Sequence, residues 1–326
     1  MDLTVLMGYE ADPATVEALR RRLPSGTTVL PPGSEPGEEV SVLVCGRPSR
    51  ELVLSCPALR YLIIPWAGLP DCTRDLMAGF PEVSVHNLHH NAMSTAEMAI
   101  GLLLAAARNI PIADRSLRSG NWHPRYSMDD CFGPLHGRSM LILGYGSVGR
   151  RLGRISLSLG MEVTGIRRSG GSDDGPVRVH GPSELHGQLP GADVLALTLP
   201  LTRETRGIIG ESELALLPKG ALLVNVGRGQ LVEEEALYRA LADHRLGAAG
   251  IDVWYRYPGS VQERSETFPS SFPFHLLDNI VMTPHMGGAF GTGSVEDQRL
   301  EQLVVTLSAV AEGCDVPFRV DLDRGY

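Results

Sequence analysis

Six residues constrain this chain more than any others: Gly144-Tyr145-Gly146-Ser147-Val148-Gly149, placed directly after the apolar run Met140-Leu141-Ile142-Leu143. Residues 148–159 then show helical spacing. A strand that ends in GxGxxG and opens a helix leaves few folds available. The first glycine permits the tight turn, the second lets a ligand approach the backbone, and the third lets the helix lie close to the strand. The helix N-terminus favours an anion at that point. The segment predicts a parallel α/β sheet with a dinucleotide pyrophosphate at the turn. Gly144, Tyr145, Gly146, Ser147, Val148 and Gly149 are its candidate contacts.

The following strand, 162–166, ends in Arg167-Arg168-Ser169. About 20 residues past such a motif, a carboxylate binds the ribose 2′-hydroxyl of NAD, whereas an arginine suits the 2′-phosphate of NADP. Two guanidiniums and a hydroxyl match a phosphate dianion. NADP(H) is therefore the expected cofactor, with NAD(H) possible. Asp173 and Asp174 lie further on, in a loop-like stretch.

The rest of the chain fits this frame. Short β-branched runs at 3–7, 40–44, 60–64 and 83–86 alternate with helical stretches and make a first α/β unit. Asp12-Pro13 starts a helix running to Arg22. Residues 95–108 read as a long Ala/Leu helix with Thr95 as its cap, apolar on nearly all faces and so buried between layers. Residues 109–134 read as a less regular connection. A second series has strands at 140–143, 162–166, 194–198, 221–226, 248–253 and 280–283, and a last helix covers 295–312. About six parallel strands with short loops is a doubly wound sheet.

Composition removes alternatives. Of 29 basic residues only Lys219 is a lysine, against 38 acidic residues, for a net charge of −9. Lys219 sits in Leu217-Pro218-Lys219-Gly220, which is no Walker loop. An acidic chain is a poor default for nucleic acid or an anionic membrane. Five cysteines, at 45, 56, 72, 131 and 314, are odd in number and widely spaced, which suggests reduced thiols and a cytoplasmic setting. No signal peptide is expected from Met1-Asp2-Leu3-Thr4-Val5, and the longest apolar run, 99–107, is about half a membrane span.

Three segments bring further chemistry to the C-terminal ends of predicted strands, where open α/β sheets bind ligands. They are Asn225-Val226-Gly227-Arg228-Gly229, Gly250-Ile251-Asp252-Val253 and Thr283-Pro284-His285-Met286-Gly287. An arginine binds a carboxylate through two parallel bonds, and a histidine gives or takes a proton near neutral pH. Keto reduction needs hydride on one side and a proton on the other.

Together with Trp66-Ala67-Gly68, Thr95-Ala96-Glu97, Gly120-Asn121-Trp122 and Leu199-Pro200-Leu201-Thr202 before Thr205, these segments resemble the D-isomer-specific 2-hydroxyacid dehydrogenase family over nearly the whole chain. The resemblance implies two doubly wound α/β domains, a Rossmann dinucleotide-binding domain (109–289) inserted in a flavodoxin-like substrate domain (1–108 plus 290–326). It implies a deep cleft and a homodimer. Arg228 would hold the substrate's carboxylate and carbonyl, and His285 would be the proton donor. The amides near Ala67 and Gly68 would cradle the carboxylate. Asp252 would help position the nicotinamide, Thr205 would lie near the phosphates, and Leu199, Pro200, Val226, Gly227 and Gly287 would complete the cofactor contacts. The substrate is expected to be a small 2-keto acid reduced to a D-2-hydroxy acid, with glyoxylate or hydroxypyruvate tested first. A nucleotide-sensing protein on the same fold and a dehydrogenase for a less common acid remain alternatives.

One departure from the family pattern stands out. A Glu-Pro pair normally follows, its glutamate pairing with the histidine; here Tyr257-Pro258 stands in its place. A carboxylate favours imidazolium, and a phenol only hydrogen-bonds. Tyr257 thus joins Arg228 and His285 in the candidate catalytic set. The exchange predicts a lower His285 pKa and a reduction that fades at lower pH. Glu263 or Glu266 offers a substitute carboxylate.

His86, His89 and His90 lie together but without acidic or cysteine neighbours, so no metal is expected. His90 and Asn91 are candidate substrate contacts. Trp66 reads as a wall of the substrate pocket, Trp122 as packing in the connection, and Trp254 and Tyr255 as packing behind the cofactor strand.

Overall fold

The structure is a computed structural model, and it describes residues 3–9, 11–126, 132–171 and 174–326. Cys131 and Asp173 lie outside the described residues. The chain divides into two compact units, Met1–Asn91 with Ala289–Tyr326, and Ala92–Gly288.

In the first unit, β1 (Leu3–Met7) leads to α1 (Pro13–Arg22), β2 (Thr27–Leu30), β3 (Val40–Val44), α2 (Arg50–Leu54), β4 (Tyr61–Ile64), α3 (Asp71–Met77) and β5 (Ser84–Asn87). Asp12 caps α1, its carboxylate accepting from the Thr15 amide at 2.8 Å, and Pro13 sits where the missing N–H costs nothing. The five strands are parallel in the order β2-β1-β3-β4-β5, the flavodoxin-like arrangement. Strand β2 is an addition to the sequence reading. The last helix, Gly293–Glu312, returns to this unit and packs Leu303, Leu307 and Val310 into the core with Val5 and Leu19. Arg22 clamps Glu301 through two bonds of 2.6 Å. The chain after this helix covers the β5 edge: the Val320 amide donates to Val85, and Arg319 bridges His86.

The second unit opens with α4 (Ala92–Ala107), then α5 (Ile110–Arg118), β6 (Ser139–Leu143), α6 (Ser147–Ser158), β7 (Glu162–Ile166), β8 (Arg178–His180), α7 (Leu185–Gln188), β9 (Val194–Leu197), α8 (Glu211–Leu216), β10 (Ala221–Asn225), α9 (Glu234–Ala242), β11 (Leu246–Ile251) and β12 (Ile280–Met282). All seven strands are parallel, in the order β12-β11-β10-β9-β6-β7-β8. The order reverses between β6 and β9, which opens the crevice where such sheets bind ligands.

Several expectations need correction. Helix α4 starts at Ala92, so Thr95 lies inside it and not at its N-cap. It packs with the second unit, not the first. Gly250 of β11 lets it come close to the sheet, since a Cβ there would sit 2.8 Å from Leu102 Cβ. The supposedly irregular 109–134 holds helix α5, with Pro111 in its first turn. Trp122 is 61% exposed, not packed. Cys45, Cys56, Cys72 and Cys314 are free thiols. Among the described residues, no single helix is long and apolar enough to cross a membrane.

Candidate active site

The glycine turn sits at the end of β6, and each glycine has a distinct reason. Gly144 has φ +107°, and a Cβ there would lie 2.7 Å from the Leu199 amide nitrogen. A Cβ on Gly149 would lie 2.5 Å from the Gly144 carbonyl oxygen, so α6 rests directly on the turn. Among the described residues, nothing lies within 4 Å of that position at Gly146, and no side chain caps α6. Open space over uncapped amides is the cradle a pyrophosphate requires. Ser147 and Val148 begin the helix there, half-buried. The Tyr145 side chain is 2% exposed, its ring packs on Gly153 and Gly165, and its N–H donates to Ile166, so it is a core residue of the turn.

After β7, Arg167 donates from Nε to the Gly170 carbonyl at 3.1 Å, and Arg168 pairs with Glu204 at 2.7 Å. Ser169 beside them is exposed. The loop after β9 carries Leu199 and Pro200, and Thr205 closes it. The Thr205 hydroxyl donates to the Pro200 carbonyl at 2.7 Å and accepts from the Thr202 amide at 2.8 Å. Thr205 is 8% exposed, and its hydroxyl staples the loop.

The turn after β10 displays Arg228. Asn225, 1% exposed, accepts from the Gly227 amide at 3.1 Å and donates to the Arg228 carbonyl at 2.9 Å. The sequence reading quoted Asn225 but gave it no task. Val226 is buried in the sheet core, and a Cβ on Gly227 would meet the Leu199 carbonyl oxygen at 2.7 Å. The loops after β9 and β10 therefore lie against each other.

Asp252 follows β11 and is 1% exposed. Its carboxylate accepts from Thr283 Oγ1 at 2.6 Å, the Met286 amide at 2.7 Å and the Gly287 amide at 2.8 Å. Asp252 clamps the loop that carries His285. A Cβ on Gly287 would sit 2.8 Å from Asp252 Oδ2, and Ser94 of α4 donates to the Gly287 carbonyl at 2.8 Å. The clamp matters because His285 has φ +57°, a left-handed backbone that a side chain disfavours.

His285 is exposed on one side, and Tyr257 covers another. Tyr257 Oη lies 3.0 Å from His285 Nδ1 and accepts from the Trp254 amide, also at 3.0 Å. The protein atoms around the ring push the His285 pKa below its ordinary value, Arg228 adds to this, and Asp252 opposes it. Burial raises the Tyr257 pKa, and the Trp254 amide and Arg228 partly offset that. Glu263 is spent on its own loop, accepting from the Gly259 amide at 2.9 Å and from Ser260 Oγ at 3.1 Å. Trp254 and Tyr255 pack into the core, Trp254 donating to the Thr283 carbonyl at 2.8 Å.

In the first unit, Trp66 lies flat over Gly46, where a Cβ would sit 1.9 Å from the indole, and the Arg47 guanidinium stands 5.8 Å from its ring. Asn87 donates to the Ala67 carbonyl at 2.7 Å and ties the loop after β4 to β5. Among the described residues, neither the Ala67 nor the Gly68 amide donates to a protein acceptor. His86 is structural, bonding Ser84 and the Pro317 carbonyl at 2.9 Å each. His90 is 8% exposed, and burial, then Arg299 and His89, push its pKa down to about 4. Its Nε2 faces Arg299 Nε at 3.4 Å, while its Nδ1 has no partner among the described residues. Asn91 follows it, partly exposed.

A doubly wound sheet with a glycine turn, an arginine and a histidine at its C-terminal edge defines a nucleotide-dependent oxidoreductase architecture. The chain belongs to the D-isomer specific 2-hydroxyacid dehydrogenase family, whose NAD binding domain matches residues 100–287. It is 35% identical over 204 residues to a D-3-phosphoglycerate dehydrogenase of Methanocaldococcus jannaschii, covering 61% of this chain and 36% of that protein. It is 32% identical over 199 residues to a hydroxypyruvate reductase of Thermotoga maritima, covering 61% of each. The match thus spans little more than a third of the first relative's length and under two thirds of the second's. The crystal structure of a D-isomer specific 2-hydroxyacid dehydrogenase from Xanthobacter autotrophicus Py2, in complex with NADPH and MES, aligns over 100% of both chains with a TM-score of 0.80 and 27% identity.

Proposed function

We propose that this protein reduces a small 2-keto acid to the D-2-hydroxy acid, with NADPH preferred over NADH. The observation that carries the reading is the meeting, at one edge of one sheet, of an uncapped glycine turn with a buried-stem arginine and a histidine held by a carboxylate clamp. Gly144, Gly146, Ser147, Val148 and Gly149 hold the pyrophosphate, and Arg167, Arg168 and Ser169 hold the 2′-phosphate. Bound NADPH supplies the hydride. Arg228 orients the substrate through its carboxylate and polarises its carbonyl. His285 delivers the proton to the carbonyl oxygen. The Ala67 and Gly68 amides receive the carboxylate, with Trp66, His90 and Asn91 contacting the rest of the acid. The relatives named as a hydroxypyruvate reductase and as a dehydrogenase bound to NADPH support this choice of substrate and cofactor.

The test is NADPH oxidation over a panel that includes glyoxylate and hydroxypyruvate. Turnover of at least one acid is expected, with Arg228→Ala lowering kcat/KM about 10²-fold or more. A protein that binds NADPH, turns over no acid and is indifferent to Arg228→Ala defeats the reading.

A further inference from the structure

The Trp254 amide only donates, so at 3.0 Å it takes a lone pair of Tyr257 Oη. The phenol proton can then be given to His285 Nδ1, at 3.0 Å. A neutral imidazole that accepts there carries its own proton on Nε2. The charged groups acting on the ring are Arg228, after β10, and Asp252, after β11. Asp252 spends its oxygens on Thr283, Met286 and Gly287, so among the described residues no carboxylate bonds the ring. Arg228 and the surrounding protein atoms both disfavour imidazolium. At neutral pH the donor is therefore an uncharged ring. Such a ring gives up its Nε2 proton cheaply only if Nδ1 gains one at the same time.

We infer that Tyr257 is the proton source behind His285: as the keto oxygen takes the Nε2 proton, the Tyr257 hydroxyl proton passes to Nδ1. This rests on the reductase reading above. The keto carbon gains a hydride and is reduced, the C=O double bond becomes a single bond, and C–H and O–H bonds form. His285 is neutral before and after, with its proton moved from Nε2 to Nδ1. Tyr257 is left as a phenolate that accepts from the Trp254 amide in the field of Arg228. Water restores its proton, since Tyr257 is 48% exposed. The transfer runs downhill, because a phenol is a far stronger acid than the alcohol that forms.

This reverses the expectation drawn from exchanging glutamate for tyrosine alone. Loss of imidazolium does not stop the reaction, so kcat for reduction stays level through neutrality to about pH 9. In Tyr257→Phe only imidazolium donates. Its kcat falls about tenfold per pH unit above the lowered His285 pKa and is at least about 30-fold below wild type at pH 8, with KM within about threefold. A purely structural role for Tyr257 moves no such limb. A wild-type kcat that declines in parallel with Tyr257→Phe overturns the relay and leaves the reductase reading standing. Imidazole 15N–1H spectra of the cofactor-free protein supply the second readout. At pH 8 the His285 proton is expected on Nε2, and a proton on Nδ1 overturns the relay whether or not any acid is turned over.

Discussion

The glycine turn after β6 and the histidine loop after β12 both bring backbone to the same edge of the second sheet. One does so by stripping side chains away, the other by pinning them down. At 144–149 the left-handed residue is a glycine, the close approach is a glycine, and no side chain caps the helix. At 283–287 the left-handed residue is a histidine, and a carboxylate from another strand end holds the residues on both sides. A turn that needs only room is built from its own residues. A turn that must present a side chain in a strained backbone needs an outside brace.

Removing the brace should do the most damage. In Asp252→Ala a buried hydroxyl and two amides lose their acceptor, and the strain at His285 is no longer opposed. The expected loss is about 3 kcal/mol or more in urea unfolding, with turnover down about 10²-fold or more because the imidazole is misplaced. Near-normal stability and rate would mean that the loop holds itself, and the contrast between the two turns would collapse.

Next comes Gly149→Ala. Its new Cβ meets the Gly144 carbonyl oxygen at 2.5 Å and Ile142 Cγ2 at 3.1 Å, backbone and core together. Overpacking of this kind costs about 1–3 kcal/mol, read as a fall in Tm. Gly146→Ala sharpens the point, because its Cβ meets nothing within 4 Å. Stability should change by less than about 1 kcal/mol, while NADPH binds about tenfold more weakly. If both variants lose stability alike, the turn is only a fold element; if Gly146→Ala binds NADPH normally, no phosphate sits there.

The same contrast explains what the sequence made legible. A glycine motif after an apolar strand states its own geometry, so the second sheet, its crevice and the positions of Arg228 and His285 could be read residue by residue. Short edge strands could not. Thr27–Leu30 and Arg178–His180 are brief and partly polar, and their pairing is visible only beside β1 and β7. Helix α5 has no buried residue, so its polarity read as a connection. Among site residues, the surroundings hardest to read are those whose partners are distant or backbone. Asp252 is answered by residues some thirty positions on, Thr205 by its own loop and Tyr145 by two glycines. Tyr257 was found because it broke an expected pattern, but the direction of its bond depends on the Trp254 amide, which no sequence pattern displays.

The mildest test asks whether the brace works bond by bond. Thr283→Val keeps the shape of the side chain and deletes a single donor, the hydroxyl at 2.6 Å from Asp252 Oδ1. The carboxylate retains the Met286 and Gly287 amides. A lost bond to a charged acceptor is worth about 1.5 kcal/mol, less where the remaining donors tighten. The expected result is a loss near 1 kcal/mol, a fall of a few-fold in kcat and an unchanged pH profile, because neither Tyr257 nor Arg228 is disturbed. A loss as large as that of Asp252→Ala would show the three bonds acting as one unit. His285 would then depend on a network that fails whole, whereas the glycine turn yields one position at a time.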